Sequence, residues 1–331
     1  MNFFKDWHAF ALGPALQFRI RWMLQGWFGK IGEKRKRVSP LLGIGFLFAG
    51  YVFAPLILAQ TPKPGPPAIF SVATRDFTVE FAGERAWTFY LILHKSEIIT
   101  DKVGFYGTVF SAEGGKWIGT GHTDGGVEQV ESVELKVDGK PCDLTDKAAY
   151  HGSRAELHKH SMMGPLKLEA TYVVTDDAVL EHHRYEATTE VKINTLYAFM
   201  HPWLPRTTEW IAEKTDGSIV EGTFNMANDH KLHDDVRWTA IYDPIGKRAM
   251  LAWYPTPLVG QGIKTSYWDK SNYHKLYNQI YSHATVPAGA KFEAAVIIRA
   301  VESDAAEWKN AAKKLSEETK MLQAAGKFGT W

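Results

Sequence analysis

Residues 166–174 read Leu-Lys-Leu-Glu-Ala-Thr-Tyr-Val-Val. Leu166, Leu168, Ala170, Tyr172 and Val174 recur at every second position, which predicts a strand with one face in a core. Thr175, Asp176 and Asp177 supply a turn, and a second run continues through Tyr185, Val191 and Ile193 to Phe199. Asp138-Gly139 lies between VELKV and KPCDL, and Asp216-Gly217 between EWIAEKT and SIVEGTF; both predict two-residue type I′ hairpins. Asp243 to Gly246 separates RWTAIY from KRAMLAWY in the same manner. No helical βαβ alternation interrupts residues 68–302, so the fold class is mainly β, an antiparallel β-sandwich. The period changes near the end, where Trp308, Ala312, Leu315 and Leu322 follow helical spacing. Ser303 before them and Gly326 after them are the expected caps of a C-terminal amphipathic helix.

The amino-terminal part has a third pattern. Pro40 to Ala59, PLLGIGFLFAGYVFAPLILA, holds twenty residues without a charge, and as a helix it matches a hydrocarbon core about 30 Å thick. Eight Lys or Arg precede it, ending in Lys34, Arg35, Lys36 and Arg37, whereas Lys63 stands alone for many residues after it. This asymmetry predicts one N-terminal transmembrane helix with its start in the cytoplasm and the remainder exported, periplasmic or extracellular. A cleaved signal peptide ending at Ala59 is the competing reading; the long leader of residues 1–39 speaks against it. Leu16, Ile20, Leu24 and Trp27 have helical spacing, so the leader is expected to lie in the cytoplasmic interface. Trp7, Trp22 and Trp27 are candidate contacts with lipid or with a neighbouring membrane protein, and the block Lys34–Arg37 with lipid headgroups. Gly45 and Ala49, then Gly50 and Ala54, give two small-xxx-small spacings for close helix approach. The expected domains are thus a leader (1–39), a transmembrane helix (40–59), a Pro-rich spacer (60–67), an exported sandwich (68–302) and a C-terminal helix and tail (303–331).

Composition alters this picture little. With 331 residues, 45% apolar and 23% charged, the chain is an ordinary globular sequence with one hydrophobic insert. A formal net charge of +1 excludes the concentrated basic surface of a nucleic-acid binder. Cys142 is the only cysteine, so no intrachain disulfide forms. Twelve of the 13 histidines follow the apolar stretch. His158 and His160 share a strand face, His151 lies just upstream, and His182 and His183 point oppositely, yet no zinc-ligand spacing such as HExxH joins them. Neither a metal nor another cofactor is expected.

Candidate recognition chemistry sits in GKWIGTGHTDGGVEQ, Gly115 to Gln129, where Trp117 offers a stacking face and His122, Asp124 and Glu128 offer polar groups. His201 and Trp203, the segment NDHKLHDD (228–235), and Tyr267, Trp268, Tyr273, Tyr277 and Tyr281 extend the set. Rings and carboxylates together suit carbohydrate; rings also fill sandwich cores and protein interfaces. No GxSxG elbow supports a Ser-His-Asp triad. The runs of 166–199, the hairpin WTAIYDPIGKRAMLAWY and the closing strand KFEAAVIIRAV resemble the supersandwich of galactose mutarotase-like and polysaccharide-lyase C-terminal domains. His182-His183-Arg184-Tyr185 is superficially similar to the mutarotase signature, but the Tyr-Phe-Asn-Leu run is missing, so the resemblance implies a fold and a sugar-binding ancestry without residue roles.

Two functions are consistent with these features. The first is a noncatalytic accessory subunit of a larger membrane complex, respiratory or photosynthetic, with membrane lipid and integral-membrane proteins as partners. The alternative is a membrane-tethered carbohydrate-binding or carbohydrate-active protein. A concave groove lined by the aromatic and histidine residues would favour the second.

Overall fold

The computed structural model describes residues 68–103, 107–120, 123–256 and 264–328. The leader with Trp7, Trp22, Trp27 and Lys34–Arg37, the apolar stretch with Gly45, Ala49, Gly50 and Ala54, and His122 lie outside the described residues. Among the described residues no helix is long and apolar enough to cross a membrane.

Alternation of apolar and polar residues folds the chain into three sheets. The ten-stranded sheet runs in the order Ile219–Thr223, Glu209–Lys214, Val236–Asp243, Arg248–Trp253, Lys291–Glu302, Val179–Ala187, Leu166–Thr175, Arg154–Met163, Gln129–Val137 and Lys140–Cys142. The seven-stranded sheet runs Asp229–Asp234, Lys264–Asp269, His274–Val286, Val191–Trp203, Val109–Ala112, Trp117–Gly119 and Gly126–Val127. A five-stranded sheet adds Ala149–His151, Ile69–Ala73, Phe77–Ala82, Thr88–His94 and Glu97–Ile98. Pairing is antiparallel except at two strands, Ala149–His151 and Gly126–Val127. The expected mainly β, sandwich-like class is what forms.

Leu166, Leu168, Ala170, Tyr172 and Val174 point inward, as their period predicts, and join Leu196, Phe199, Leu276, Ile280 and Val296 in one core. Met163↔Leu166 and Val174↔Val179 register the strands on either side. Asp138 and Gly139 take φ of 48° and 75° and close the expected two-residue turn between Val137 and Lys140. The Asp216-Gly217 hairpin differs from its expectation. The Gly217 amide donates to the Lys214 carbonyl (2.9 Å) and the Lys214 amide to the Ser218 carbonyl (2.9 Å), so the loop has three residues with only Gly217 left-handed, at φ 86°. Asp216 instead accepts the Ser218 amide at 2.8 Å.

The C-terminal helix, α1, spans Trp308–Ala324. Trp308, Ala312 and Leu315 pack on Ile211, Trp238, Tyr242 and Leu251, covering part of the outward face of the ten-stranded sheet. Its entry is held by Asp304, whose Oδ1 accepts the Ala306 and Glu307 amides at 3.0 Å, rather than by the expected Ser303. Its exit is the expected one. Gly326, at φ 72°, donates to the Gln323 carbonyl while Lys327 donates to that of Leu322, a Schellman arrangement.

Candidate functional site

The long strand His274–Val286 sends His274, Leu276, Asn278 and Ile280 into the interior and Lys275, Tyr277 and Gln279 to the opposite face, while the register shift beside Leu196 turns Tyr281 back against the core. Register then fixes which side chains meet on that outward face. One row is His230↔Trp268↔Lys275↔Pro202, and the next is His233↔Ser266↔Tyr277↔Met200. A third joins Lys264, Gln279 and Tyr197. A cavity of about 220 Å³ opens over these rows, lined by Trp117, Tyr197, Met200, His230, Trp268 and Tyr277. Its rings touch in sequence. Trp117 stacks on Tyr197 (5.9 Å between centroids, 8° between planes), and Tyr197 meets Tyr277 at 4.9 Å. His230 stands edge-on to Trp268 at 4.3 Å and faces Tyr277 at 6.3 Å.

Local sequence explains why these groups converge. The Asp124 carboxylate accepts the Trp117 amide at 3.2 Å and the Gly125 amide donates to the Trp117 carbonyl at 2.9 Å, which folds the glycine-rich loop back on the strand carrying Trp117. Gly119, at φ 139°, lies where an added Cβ would come 2.4 Å from the Thr108 carbonyl oxygen, so only glycine lets this strand lie close against its neighbour. On the opposite wall, buried Asp269 accepts the Asn225 and Met226 amides (2.9 and 3.1 Å) and pairs with His274 at 2.9 Å. Phe224 stacks on that imidazole at 4.0 Å, and the clamp fixes the turn that leads into His230.

The imidazole that lines the cavity, His230, and its neighbour His233, 6.2 Å away between ring centroids, are biased toward the neutral form. Burial, and then the charge of His233, lower the pKa of His230 against the pull of Asp229. Burial, and then Lys264, lower that of His233 against Asp234. Near neutrality each ring therefore offers one donor and one acceptor nitrogen. Burial raises the Tyr197 phenol, which stays protonated. The cavity thus offers apolar ring faces edged by neutral hydrogen-bonding groups.

Of the residues singled out from sequence, Trp117 lines this cavity and Asp124 shapes its loop. Glu128, His201 and Trp203 lie in the sandwich interior. Glu128 bonds Lys159 (2.7 Å), Ser161 (2.6 Å) and Thr120 (2.7 Å); burial alone would raise its carboxyl, and Lys159 outweighs that and holds it low. His201 bonds Glu181 at 2.7 Å, and Glu181 bonds His183 at 3.0 Å. Tyr267 points inward and meets Thr239 at 2.8 Å, while Tyr281 packs on Phe292. From the segments named beside them, His230, Trp268 and Tyr277 do reach the cavity. Sequence reading missed Tyr197 and Met200, because register shifts between Leu196 and Phe199 change which residues of that strand face outward.

A larger cavity of about 500 Å³ lies on the ten-stranded sheet and includes His160, Glu169, Arg184 and Glu293. Its charges answer one another: Arg184 lies 3.4 Å from Glu169 and 3.5 Å from Glu293, and His182 bonds Glu293 at 3.2 Å. Among the described residues no three His, Cys, Asp or Glu side chains are grouped to hold a metal ion.

What the fold and cavity define is a sandwich of mainly antiparallel sheets with a ring-lined depression on its seven-stranded sheet. No family model and no curated protein matches the chain. Solved structures with similar coordinates include a galactosidase domain of alpha-galactosidase-sucrose kinase, at 9% identity and a TM-score of 0.48 over 71% of this chain and 40% of that one. The Slr1438 protein from Synechocystis sp. PCC 6803 gives 11% identity and 0.46 over 72% of this chain and 98% of that one. A galactose mutarotase-like protein from Lactobacillus casei ATCC 334 gives 10% and 0.45 over 71% and 100%. Mutarotase-like proteins are thus among the structural neighbours, and this chain spans two fifths of the galactosidase-domain chain.

Proposed function

We propose that the chain is a carbohydrate-binding protein, with a sugar ring stacked in the cavity of Trp117, Tyr197, Tyr277, His230 and Trp268. The observation that carries this reading is the convergence of five rings, from five strands, on the outward face of a sheet whose opposite face already supplies the core. Rings gathered there are not needed for packing. A flat apolar face with neutral donors and acceptors at its edge suits the C–H face and the hydroxyls of a pyranose. The volume of about 220 Å³ falls below the ~300–1,000 Å³ of pockets for drug-sized ligands, and so suits one ring at a time. The proposal includes the tether: residues 40–59 would hold the sandwich at the outer side of the cytoplasmic membrane, which places the ligand outside the cell or in the periplasm.

A glycan array probed with the full-length chain in mild detergent is the direct test. Binding to at least one glycan is expected, and Trp268→Ala should weaken it about tenfold or more, because a central aromatic anchor is typically worth ~2 kcal/mol or more. Absence of binding to every glycan would retire the reading. In that case co-purification of membrane proteins with the full-length chain on native gels would favour the accessory-subunit role.

A further inference from the structure

A strand with a strict period of two cannot place two residues three positions apart on the same face. The strand Val191–Trp203 does so twice: Tyr197 and Met200 both line the cavity, while Leu196 and Phe199 both lie in the core. The change of parity falls at Ala198. Tyr197 pairs with Gln279 and Phe199 with Asn278, which makes Ala198 the extra residue of a β-bulge. The cavity therefore has its Tyr197 and Met200 wall only while that bulge is kept. A chain of buried side chains reaches the bulge from the interior. His183, on the facing ten-stranded sheet, has Nδ1 3.1 Å from the Ala198 carbonyl and 3.2 Å from the Tyr185 hydroxyl. Buried Thr108 donates its hydroxyl to the Tyr197 carbonyl at 2.9 Å and lies 2.9 Å from the same Tyr185 hydroxyl. Carbonyls only accept, so the hydrogens run one way: His183 Nδ1–H serves Ala198, Thr108 serves Tyr197, and Tyr185 donates to Thr108. Burial raises the Tyr185 phenol against the effect of Thr108, so the hydrogen it must give is present. Beyond the bulge, His201 beside Met200 is held to Glu181 at 2.7 Å, and Glu181 to His183 at 3.0 Å. Thr108 also fixes the next ring of the row. Its carbonyl accepts the Thr120 amide at 3.2 Å and lies against Gly119, on the strand whose Trp117 stacks on Tyr197.

We propose that Thr108, Tyr185 and His183 are positioning residues for the sugar site: their directed hydrogen bonds hold the Ala198 bulge and thereby set Tyr197 and Met200 in the cavity wall. None of the three lines the cavity. The inference rests on the carbohydrate reading above and adds the interior residues on which that site depends. A bond that served the core alone would lower stability when removed and leave the affinity of the folded chain unchanged. A positioning bond lowers the affinity of a chain that is still folded.

The test measures glycan affinity, thermal midpoint and near-ultraviolet circular dichroism on the full-length chain in mild detergent, with the tightest-binding glycan of the array as probe. Thr108→Val keeps the shape and removes the hydroxyl. It should weaken binding about tenfold or more in a chain that still unfolds cooperatively, because a binding wall must be held to within about 0.5 Å. Thr108→Ser restores the hydroxyl and should bind within about threefold of the original. His183→Asn keeps a donor near the Nδ1 position, whereas the amide of His183→Gln falls near Nε2, so the Asn variant should bind about fivefold or more tightly than the Gln variant. The spectral change caused by Trp117→Phe should be small in the Thr108→Val chain and full in the Thr108→Ser chain, since only the latter keeps the stack on Tyr197. Unchanged affinity in folded Thr108→Val, equal losses in Thr108→Val and Thr108→Ser, or equal affinities of the two His183 variants would overturn the inference and leave the sugar site standing. No binding of the unsubstituted chain to any glycan would instead fail the carbohydrate reading, and the Trp117 spectral comparison would then decide the positioning role by itself.

Discussion

Glu181 shows at the scale of one residue how this sandwich spends charge in its interior. Its side chain is 3% exposed, with His183 at 3.0 Å and His201 at 2.7 Å on its two oxygens. Burial alone would raise the carboxyl, but the two imidazoles outweigh it and hold it near 2, below its ordinary 4.5. A depressed carboxyl contributes stability that is fully present above pH 4.5 and is lost as pH falls toward 2. His94 acts in the same direction at higher pH. Burial, then Arg248 and Lys95, lower it from 6.5 to about 4, so the unfolded chain binds its proton first and stability falls as pH drops from 6.5 toward 4. Urea midpoints measured from pH 7 to pH 2.5 should therefore decline in two stages, with His94→Phe shrinking the upper one, to which the lowered His182, His230, His233 and His274 also contribute, and leaving the lower. Glu181→Leu removes the buried carboxylate that His183 and His201 share and should cost roughly 3–5 kcal/mol at pH 7. A flat midpoint across this range would contradict both assignments.

Elements become legible from sequence where the local pattern and the packing agree. The alternation of Leu166 to Val174 put the strand in register because one face is fully buried, and a shift by one residue would expose all five side chains. Trp308, Ala312 and Leu315 marked α1 for the same reason, and Trp308 stacks on Tyr242 at 5.4 Å beneath it. Trp308→Ala should cost about 3–5 kcal/mol and increase binding of a hydrophobic dye, since Tyr242 and Leu251 lose their cover. The site was less legible, for a physical reason. Trp117, His230, Trp268 and Tyr277 were visible as residue types, but their meeting depends on strand order, and Tyr197 joins them only through an irregular register. Conversely, Glu128, His201 and Trp203 looked like recognition groups because sequence does not reveal that Lys159, Glu181 and the core already occupy them. Gly119 links the two levels. Gly119→Ala meets a carbonyl oxygen at 2.4 Å and a backbone angle suited only to glycine, so it should lower the thermal midpoint by several degrees and weaken glycan binding through Trp117.

At the scale of the whole molecule the open question is what residues 40–59 contribute, and the two functional readings answer it differently. A tether needs only length and apolarity, which twenty uncharged residues supply. A docking helix needs shape, and the spacings Gly45 to Ala49 and Gly50 to Ala54 are where a second helix could approach closely. The spacer of residues 60–67 carries four prolines, a composition that favours a semi-rigid link under either reading. The proposed carbohydrate function therefore makes the sequence of the stretch dispensable while its hydrophobic length is not. Replacing residues 41–59 with leucines should leave the chain in the membrane fraction after alkaline carbonate and leave its glycan affinity within about twofold, because the cavity is built wholly from residues 117–277. Changing Gly45 and Gly50 to isoleucine should be equally silent. If those two substitutions instead release a bound membrane protein on a native gel while glycan binding persists, the stretch is an interface as well as an anchor, since bulk at a small-xxx-small face removes close approach without shortening the span.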